Sequence, residues 1–363
     1  MASHWSESFH TYIWVLNTGR GLSVCIRFPH NIGLMYDLGA SDGFSPATFV
    51  ERNIAPKLTK YKGAAIAQTV ISHPHADHIL EVDAIAAGKP LCPALITCPN
   101  DHDPESGVSQ EKVDFRRLQN AENASLLDAY RDSYSKRHPP LQTLQATNGT
   151  NPLYSHIPTD VEYGLYYLRP PLVAAIHPSN DQDYGNGLSL VLYLRYGQQS
   201  ILITGDITPE IFRLVLTGKA GIERRYTYFR PRNGVPDDFY CRTSSQPTLQ
   251  DLLQQYGLTV LLPPHHGLES CYCPELFQMI RNRKTSINVI SEKRQGPTEG
   301  SVDCRYQSQD TSFGSRIDID GQEQNCYSAT TRNGHHILLV LEGTKPKPRV
   351  YLRKDPYDLL KIV

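Results

Sequence analysis

His73-Pro74-His75-Ala76-Asp77-His78 sets three imidazoles and one carboxylate on six consecutive residues. Imidazole nitrogen and carboxylate oxygen are the usual donors to Zn²⁺, and imidazole also suits iron and nickel. Immediately upstream, Gly63-Ala64-Ala65-Ile66-Ala67-Gln68-Thr69-Val70-Ile71-Ser72 ends in a short apolar, β-branched run that reads as a buried strand. At the end of that strand His73 and His75, two apart, can reach one metal through the loop, and Asp77 and His78 can turn towards a second. The C-terminal tip of a buried strand is where an open α/β layer presents its chemistry. The rival reading is a histidine-rich surface loop, which the density and order of these donors disfavour.

Two later strand ends supply further donors. Ile203-Thr204-Gly205-Asp206 closes an apolar strand with a carboxylate suited to bridging two metals, and Pro263-Pro264-His265-His266-Gly267 closes another with paired imidazoles. Either alone is weak; in this order, each at a strand tip, they reinforce the first cluster.

Around them the chain alternates between sheet and helix. Thr11–Leu16, Leu22–Phe28 and Gly33–Tyr36 read as strands, the last ending at Asp37-Leu38-Gly39. A helix is expected over 45–58, and another around 120–134 within a polar, charged span, 98–170, read as an insertion or lid. Strands are expected at 172–176, 188–194, 200–203, 260–262 and 286–290, with a helix over 274–283. Residues 293–325 form a second polar insertion, after which 337–341 and 350–352 close a single domain, 1–363. Strands in both halves with helices between them predict two sheets sandwiched between helices.

Composition agrees with a large core and excludes little else. The 363 residues are 39% hydrophobic and 20% charged, with a formal net charge of −1, so no global field draws the protein to nucleic acid or membrane. No apolar stretch approaches a membrane span, and Met1 to Trp14 is too polar for a secretory signal. Eight cysteines, none spaced as CxxC, do not make a disulfide framework, and a cytoplasmic location is the simplest expectation.

The ordered donors resemble the metallo-β-lactamase superfamily, whose αββα sandwich carries HxHxDH, a later His, a bridging Asp and a final His. One branch is similar over most of the chain outside 98–170 and 293–325: the hydrolase domain of the DNA-uptake competence protein ComEC. Ile13 to Gly21 resembles that branch's DVGQGD-type opening, with Asn17 and Ser23 where the pattern has Asp. Tyr36-Asp37-Leu38-Gly39 resembles its Asp-x-Gly step. Asn186 to Leu192, leading into Leu202 to Asp206, resembles its NxSLVL and LLTGD run. Leu262 to Gly267 resembles its HHGS, and Thr331-Arg332-Asn333-Gly334 its terminal hairpin.

The resemblance implies an α/β, four-layer αββα fold and a metal-dependent hydrolase. His73 and His75 go to one metal, Asp77 and His78 to the other, and Asp206 bridges. His266 is preferred as the last ligand because that ligand precedes a Gly in the superfamily. His265 then faces substrate as a proton donor, and the two roles are open to exchange. Asp37 holds the histidine loop in place, with turn capping as the rival role. The middle His has no clean match. His177, Asp181, Asp183 or a water can fill that position, and a backbone-bonded structural role competes for His177.

The expected cofactors are two divalent ions, zinc with manganese as the alternative. The implied reaction is attack on a phosphodiester of nucleic acid or a nucleotide by a hydroxide activated between them. Arg224, Arg225, Tyr228 and Arg230 interleave cations with rings, as single-stranded nucleic acid would use, and Asn186 joins them as a substrate-side residue. A solvated face would show the same mixture. The rivals are an ester, thioester or phosphorylcholine-ester hydrolase, a metal-loaded scaffold without turnover, and an iron-pair redox enzyme.

Overall fold

The computed structural model describes residues 9–19, 21–41, 43–99, 110–119, 121, 123–127, 161–168, 173–174, 176–177, 181–217, 248–292 and 301–363. Strands β1 (Thr11–Val15), β2 (Val24–Arg27), β3 (Gly33–Tyr36), β4 (Ile66–Val70), β5 (Ile96–Pro99) and β6 (Ala124–Leu127) form one run. They are followed by β7 (Val161–Tyr166), β8 (Val191–Tyr196), β9 (Gln199–Ile203), β10 (Val260–Leu262) and β11 (Ile287–Ile290). The chain closes with β12 (Ser315–Ile319), β13 (Gln322–Cys326), β14 (Ser328–Thr330), β15 (His336–Leu341) and β16 (Arg349–Arg353). Among the described residues they make a ten-stranded sheet, β13-β12-β16-β15-β1-β2-β3-β4-β5-β6, and a six-stranded sheet, β14-β11-β10-β9-β8-β7.

Strand alternation sorts the core into three bodies. Ile13, Val15, Val24, Ile26 and Leu34 of the first sheet meet Leu192, Leu194, Ile201, Ile203 and Val260 of the second. The opposite faces of the same strands, Tyr12, Trp14, Cys25 and Met35, pack on Phe49 and Val50 of α1 (Pro46–Asn53). On the far side Tyr193, Leu202 and Leu261 pack on α5 (Pro209–Thr217), α6 (Leu249–Tyr256) and α7 (Pro274–Met279). The layers are therefore helix, sheet, sheet, helix: the mixed α/β sandwich that the sequence predicts. Because both faces of each sheet are covered, the central strands carry few polar residues.

Topology then collects the chemistry. Strands β9, β10, β11 and β14 run parallel, so their C-terminal ends share one edge, and β3 and β4 are likewise parallel. Asp37 follows β3, His73 follows β4 ahead of the short helix α2 (Ala76–Ile79), Asp206 follows β9 and the His265-His266 pair follows β10.

Several local expectations need correction. The described residues of 172–176 do not form a strand: Val173, Ala174 and Ile176 have helical backbone, and the His177 N–H donates to the Val173 carbonyl at 2.9 Å. A short apolar run is ambiguous between the two forms, and Pro170-Pro171 just upstream favours a helical start. Where a helix is expected over 120–134, the described residues 124–127 form β6, paired parallel to β5, and a helix, α3, precedes them at Gln110–Gln119; 128–134 lies outside the described residues. Asp181 and Asp183, candidates for the middle position, lie in helix α4 (Asp181–Gly187). Within 98–170, α3, β6 and β7 belong to the layers, while 128–160 lies outside the described residues. In 293–325, β12 and the exposed β13 make an edge hairpin, which explains the polar composition. No helix among the described residues is long and apolar enough to cross a membrane.

Candidate metal centre

Asp37, fully buried and at a left-handed φ of 59°, anchors the site. Its Oδ1 accepts the Ser72 N–H at 2.6 Å, and its Oδ2 accepts the Ser72 hydroxyl at 2.7 Å. The same Oδ2 lies 2.7 Å from His78 Nδ1. With its only proton given to Asp37, the Ser72 oxygen can act only as acceptor towards His73 Nδ1, 2.9 Å away. Both rings thus carry a proton on Nδ1, and when neutral each turns an Nε2 lone pair inwards, the tautomer a ligating histidine needs.

What they turn towards is Asp206, which is 3% exposed. Its N–H donates to Ser189 Oγ at 3.1 Å, which holds the carboxylate in place. Its Oδ1 lies 3.3 Å from His78 Nε2 and 3.7 Å from His266 Nε2. Its Oδ2 lies 3.5 Å from His265 Nε2 and 3.9 Å from His73 Nε2. Asp77 Oδ2 stands 3.9 Å from His266 Nε2 and 4.0 Å from His78 Nε2. One donor atom from each of Asp77, His78, Asp206 and His266 falls within 4.8 Å of all the others.

The donor set fits a metal on independent grounds. His73, His78 and His266 each bury an Nε2 that has no hydrogen-bond partner among the described residues. An unpaired buried polar atom costs about 1–3 kcal/mol, and three converging on one carboxylate point to a shared cation.

Electrostatics agree. Burial, reinforced by His78 and His75, pushes the His73 pKa well below the usual histidine range, so this ring is neutral and ready to ligate. Burial likewise lowers His266. Burial opposes charge on His78, yet Asp206 and Asp37 outweigh it and raise its pKa well above normal. Burial would raise Asp206, but His78 and His266 hold it well below the carboxylate range. For Asp37 burial prevails over His78, and its pKa is raised. A cation held by His78 would take the place of the proton that the two carboxylates otherwise attract.

The loop is held from beneath by two glycines. A Cβ on Gly21 or Gly39 would run into the Asp77 carbonyl oxygen, so the opening turn and the Asp-Leu-Gly step both make room for the histidine loop. Asn17, where the resembled pattern has Asp, caps its own turn through Oδ1 to the Gly19 N–H at 3.0 Å. On the opposite side α4 lies on His75, with Gly185 against its Nε2. The His73 and His75 rings are edge to face at 4.6 Å.

The remaining sequence-predicted residues are placed as follows. His177 is not at a strand tip; its Nε2 meets Thr208 Oγ1 at 3.1 Å, and it does not join the Asp77, His78, Asp206 and His266 group. Asp181 and Asp183 are on α4, as is Asn186, which is buried, its Oδ1 without a partner among the described residues. Arg224, Arg225, Tyr228 and Arg230 lie outside the described residues. Sequence reasoning assigned no role to Ser72, which carries no signal beyond its neighbours, or to Ser189, the serine of the NxSLVL-like run. Cys271, close to His266 in sequence, is a buried thiol. Burial pushes that thiol up to about 12, and its Sγ is 3.4 Å from His265 Nδ1.

No protein-family model and no curated protein sequence matches the chain. Solved structures do. The metallo-β-lactamase fold protein YhfI from Bacillus subtilis is 12% identical, over 54% of this chain and 62% of its own, with a TM-score of 0.28. Igni18, a metallo hydrolase from the hyperthermophilic archaeon Ignicoccus hospitalis, is 11% identical over 79% of this chain and 84% of its own, at 0.36. A variant of the CmlA β-hydroxylase is 14% identical over 73% of this chain and 48% of its own, at 0.32. The layer order and strand topology, independent of these neighbours, give the αββα architecture.

Proposed function

We propose that this protein is a metal-dependent phosphodiesterase of the ComEC-type branch, acting on nucleic acid or a nucleotide. The observation that carries the proposal is the convergence of three unpartnered, buried imidazole nitrogens on one buried carboxylate beside a more exposed one, Asp77. Asp77, His78, Asp206 and His266 would hold one divalent ion, and His73 and His75, sharing Asp206, the other. Zinc or manganese there would activate a water and neutralise charge on a phosphoryl oxygen.

The chain's own contribution is positioning. Asp37 and Ser72 lock two rings so that little reorganisation is left for the reaction. The His73 and His78 side chains are fully buried, whereas those of Asp77 and His265 are 32% and 23% exposed, so substrate approaches from the side of the latter pair. Asp77 is the carboxylate assigned to take the proton of the attacking water. Arg224, Arg225, Tyr228 and Arg230 are assigned to the phosphates and bases of a strand, with Asn186 beside the reacting group. Seven unpaired cysteines among the described residues suit a reducing cytoplasm.

The test is turnover of bis(p-nitrophenyl) phosphate by zinc- and manganese-loaded protein beside Asp206→Asn. Metal-dependent turnover that falls roughly 100-fold or more in the variant is expected. No turnover with metals demonstrably bound would sink the diester reading and leave the ester-hydrolase and non-catalytic binding roles.

A further inference from the structure

The superfamily's middle histidine has no counterpart here, and the structure takes His177 to Thr208 rather than to the cluster. A different imidazole, that of His265, lies against the Asp206 carboxylate. The carboxylate of Asp206 divides its four histidine neighbours into two pairs, His78 and His266 around Oδ1, His265 and His73 around Oδ2. The Oδ1 side is the side of Asp77 and the second metal position. The Oδ2 side is that of His73, hence of the first. We infer that His265 is the third imidazole of the first metal position, supplying from the HHG turn the ligand that the middle strand does not, and that Cys271 orients it.

Three features of the chain converge on this role. His265 and His266 are consecutive non-glycine residues at φ 46° and 56°, a left-handed pair that persists only where the surrounding structure holds it. In this turn the two rings, with centroids 5.9 Å apart, reach one carboxylate on separate oxygens. The His265 N–H donates to the Gly205 carbonyl at 3.0 Å, which ties the turn to the residue preceding Asp206. Lastly, Cys271 Sγ meets His265 Nδ1 at 3.4 Å. An Nδ1–H donated to that sulfur leaves the Nε2 lone pair directed at Asp206 Oδ2, the arrangement that partners of ligating histidines impose. His265 thereby becomes a ligand instead of the substrate-facing proton donor expected from sequence.

This inference rests on the metal-binding half of the proposed function and not on the diester, so metal counting separates the two. Purified full-length protein is titrated with Co²⁺ and Zn²⁺, and bound metal is measured by elemental analysis and by the Co²⁺ visible spectrum. His265→Asn is the informative variant, because Asn tolerates the left-handed backbone that the position needs. Wild type is expected to bind two ions per chain. His265→Asn and His266→Asn are each expected to retain one, with different residual Co²⁺ spectra. Two ions bound by His265→Asn at unchanged affinity would overturn the assignment, whatever happens to turnover. Cys271→Ala, a small buried change, is expected to weaken one of the two ions roughly 10–100-fold, and equal affinities for both would overturn the orienting role. Melting curves and far-UV circular dichroism of each variant separate ligand loss from misfolding, and the Cys271 arm stands if a histidine variant fails to fold.

Discussion

Gly21 and Gly39 look in sequence like ordinary turn residues, and the structure gives them a sharper task. Each lacks the Cβ that would strike the Asp77 carbonyl oxygen, and Gly21 also sits at φ 96°. Gly21→Ala combines a left-handed backbone cost with overpacking against main chain, each about 1–3 kcal/mol. The variant is therefore expected to lose roughly 2–5 kcal/mol in urea denaturation and to bind metal more weakly, because the loop carrying Asp77 and His78 is the part displaced. A variant as stable as wild type would show that the loop yields freely. At this scale the candidates Asp77, His78, Asp206 and His266, which the structure brings together, were legible, since histidine and aspartate at strand tips advertise their chemistry. The supports were not: a serine such as Ser72 or Ser189 is chemically ordinary until the fold sets it beside Asp37 or Asp206.

At the scale of elements, reading succeeded where pattern and length agreed. β3 and β10 fall on the residues expected because runs such as Gly33–Tyr36 and Val260–Leu262 are apolar and bounded by turns. It failed at 172–176, where five apolar residues satisfy strand and helix equally. Tertiary packing decides there, with Val173 buried in the same core body as Val191, Ile211 and Phe212. Helix α6 shows local rules at work. Thr248 accepts from the Asp251 N–H at 2.9 Å while Asp251 accepts the Thr248 N–H at 2.6 Å, and Gly257 at φ 77° ends the helix. This capping box satisfies two donors at the helix start. Thr248→Ala should cost about 1 kcal/mol of stability without altering metal content. A change in bound metal would mean that α6 reaches the site through the second sheet.

For the molecule as a whole, the closure of the chain's two ends carries a pH dependence. The N–H of Asn17, after β1, donates to His336 Nδ1, at the start of β15, at 3.1 Å, and β1 pairs with β15 along its length. Accepting that bond requires an unprotonated Nδ1, and burial lowers the His336 pKa to about 4. The folded pKa lies below the unfolded one, so on acidification the unfolded chain takes up the proton first. Stability from this group is complete above about pH 6.5 and is lost as pH falls towards 4, by roughly 3 kcal/mol. Urea denaturation between pH 7.5 and 4.5 is expected to show a shallower decline in His336→Gln than in wild type. Parallel declines would remove His336 as the cause.

By itself the sequence determined the candidate donors, their order and their placement after strands, because metal chemistry restricts residue type and buried strands restrict pattern. It also implied the two-sheet sandwich, since helix and strand signals in both halves leave few ways to cover two apolar faces. Only the tertiary structure decided which imidazole faces which oxygen of Asp206. That depends on the backbone of two consecutive left-handed histidines and on a thiol six residues along, Cys271. It alone, too, withdrew His177 from the cluster, because a helical turn rather than a strand carries it, and hydrogen bonds between residues distant in sequence leave no local trace.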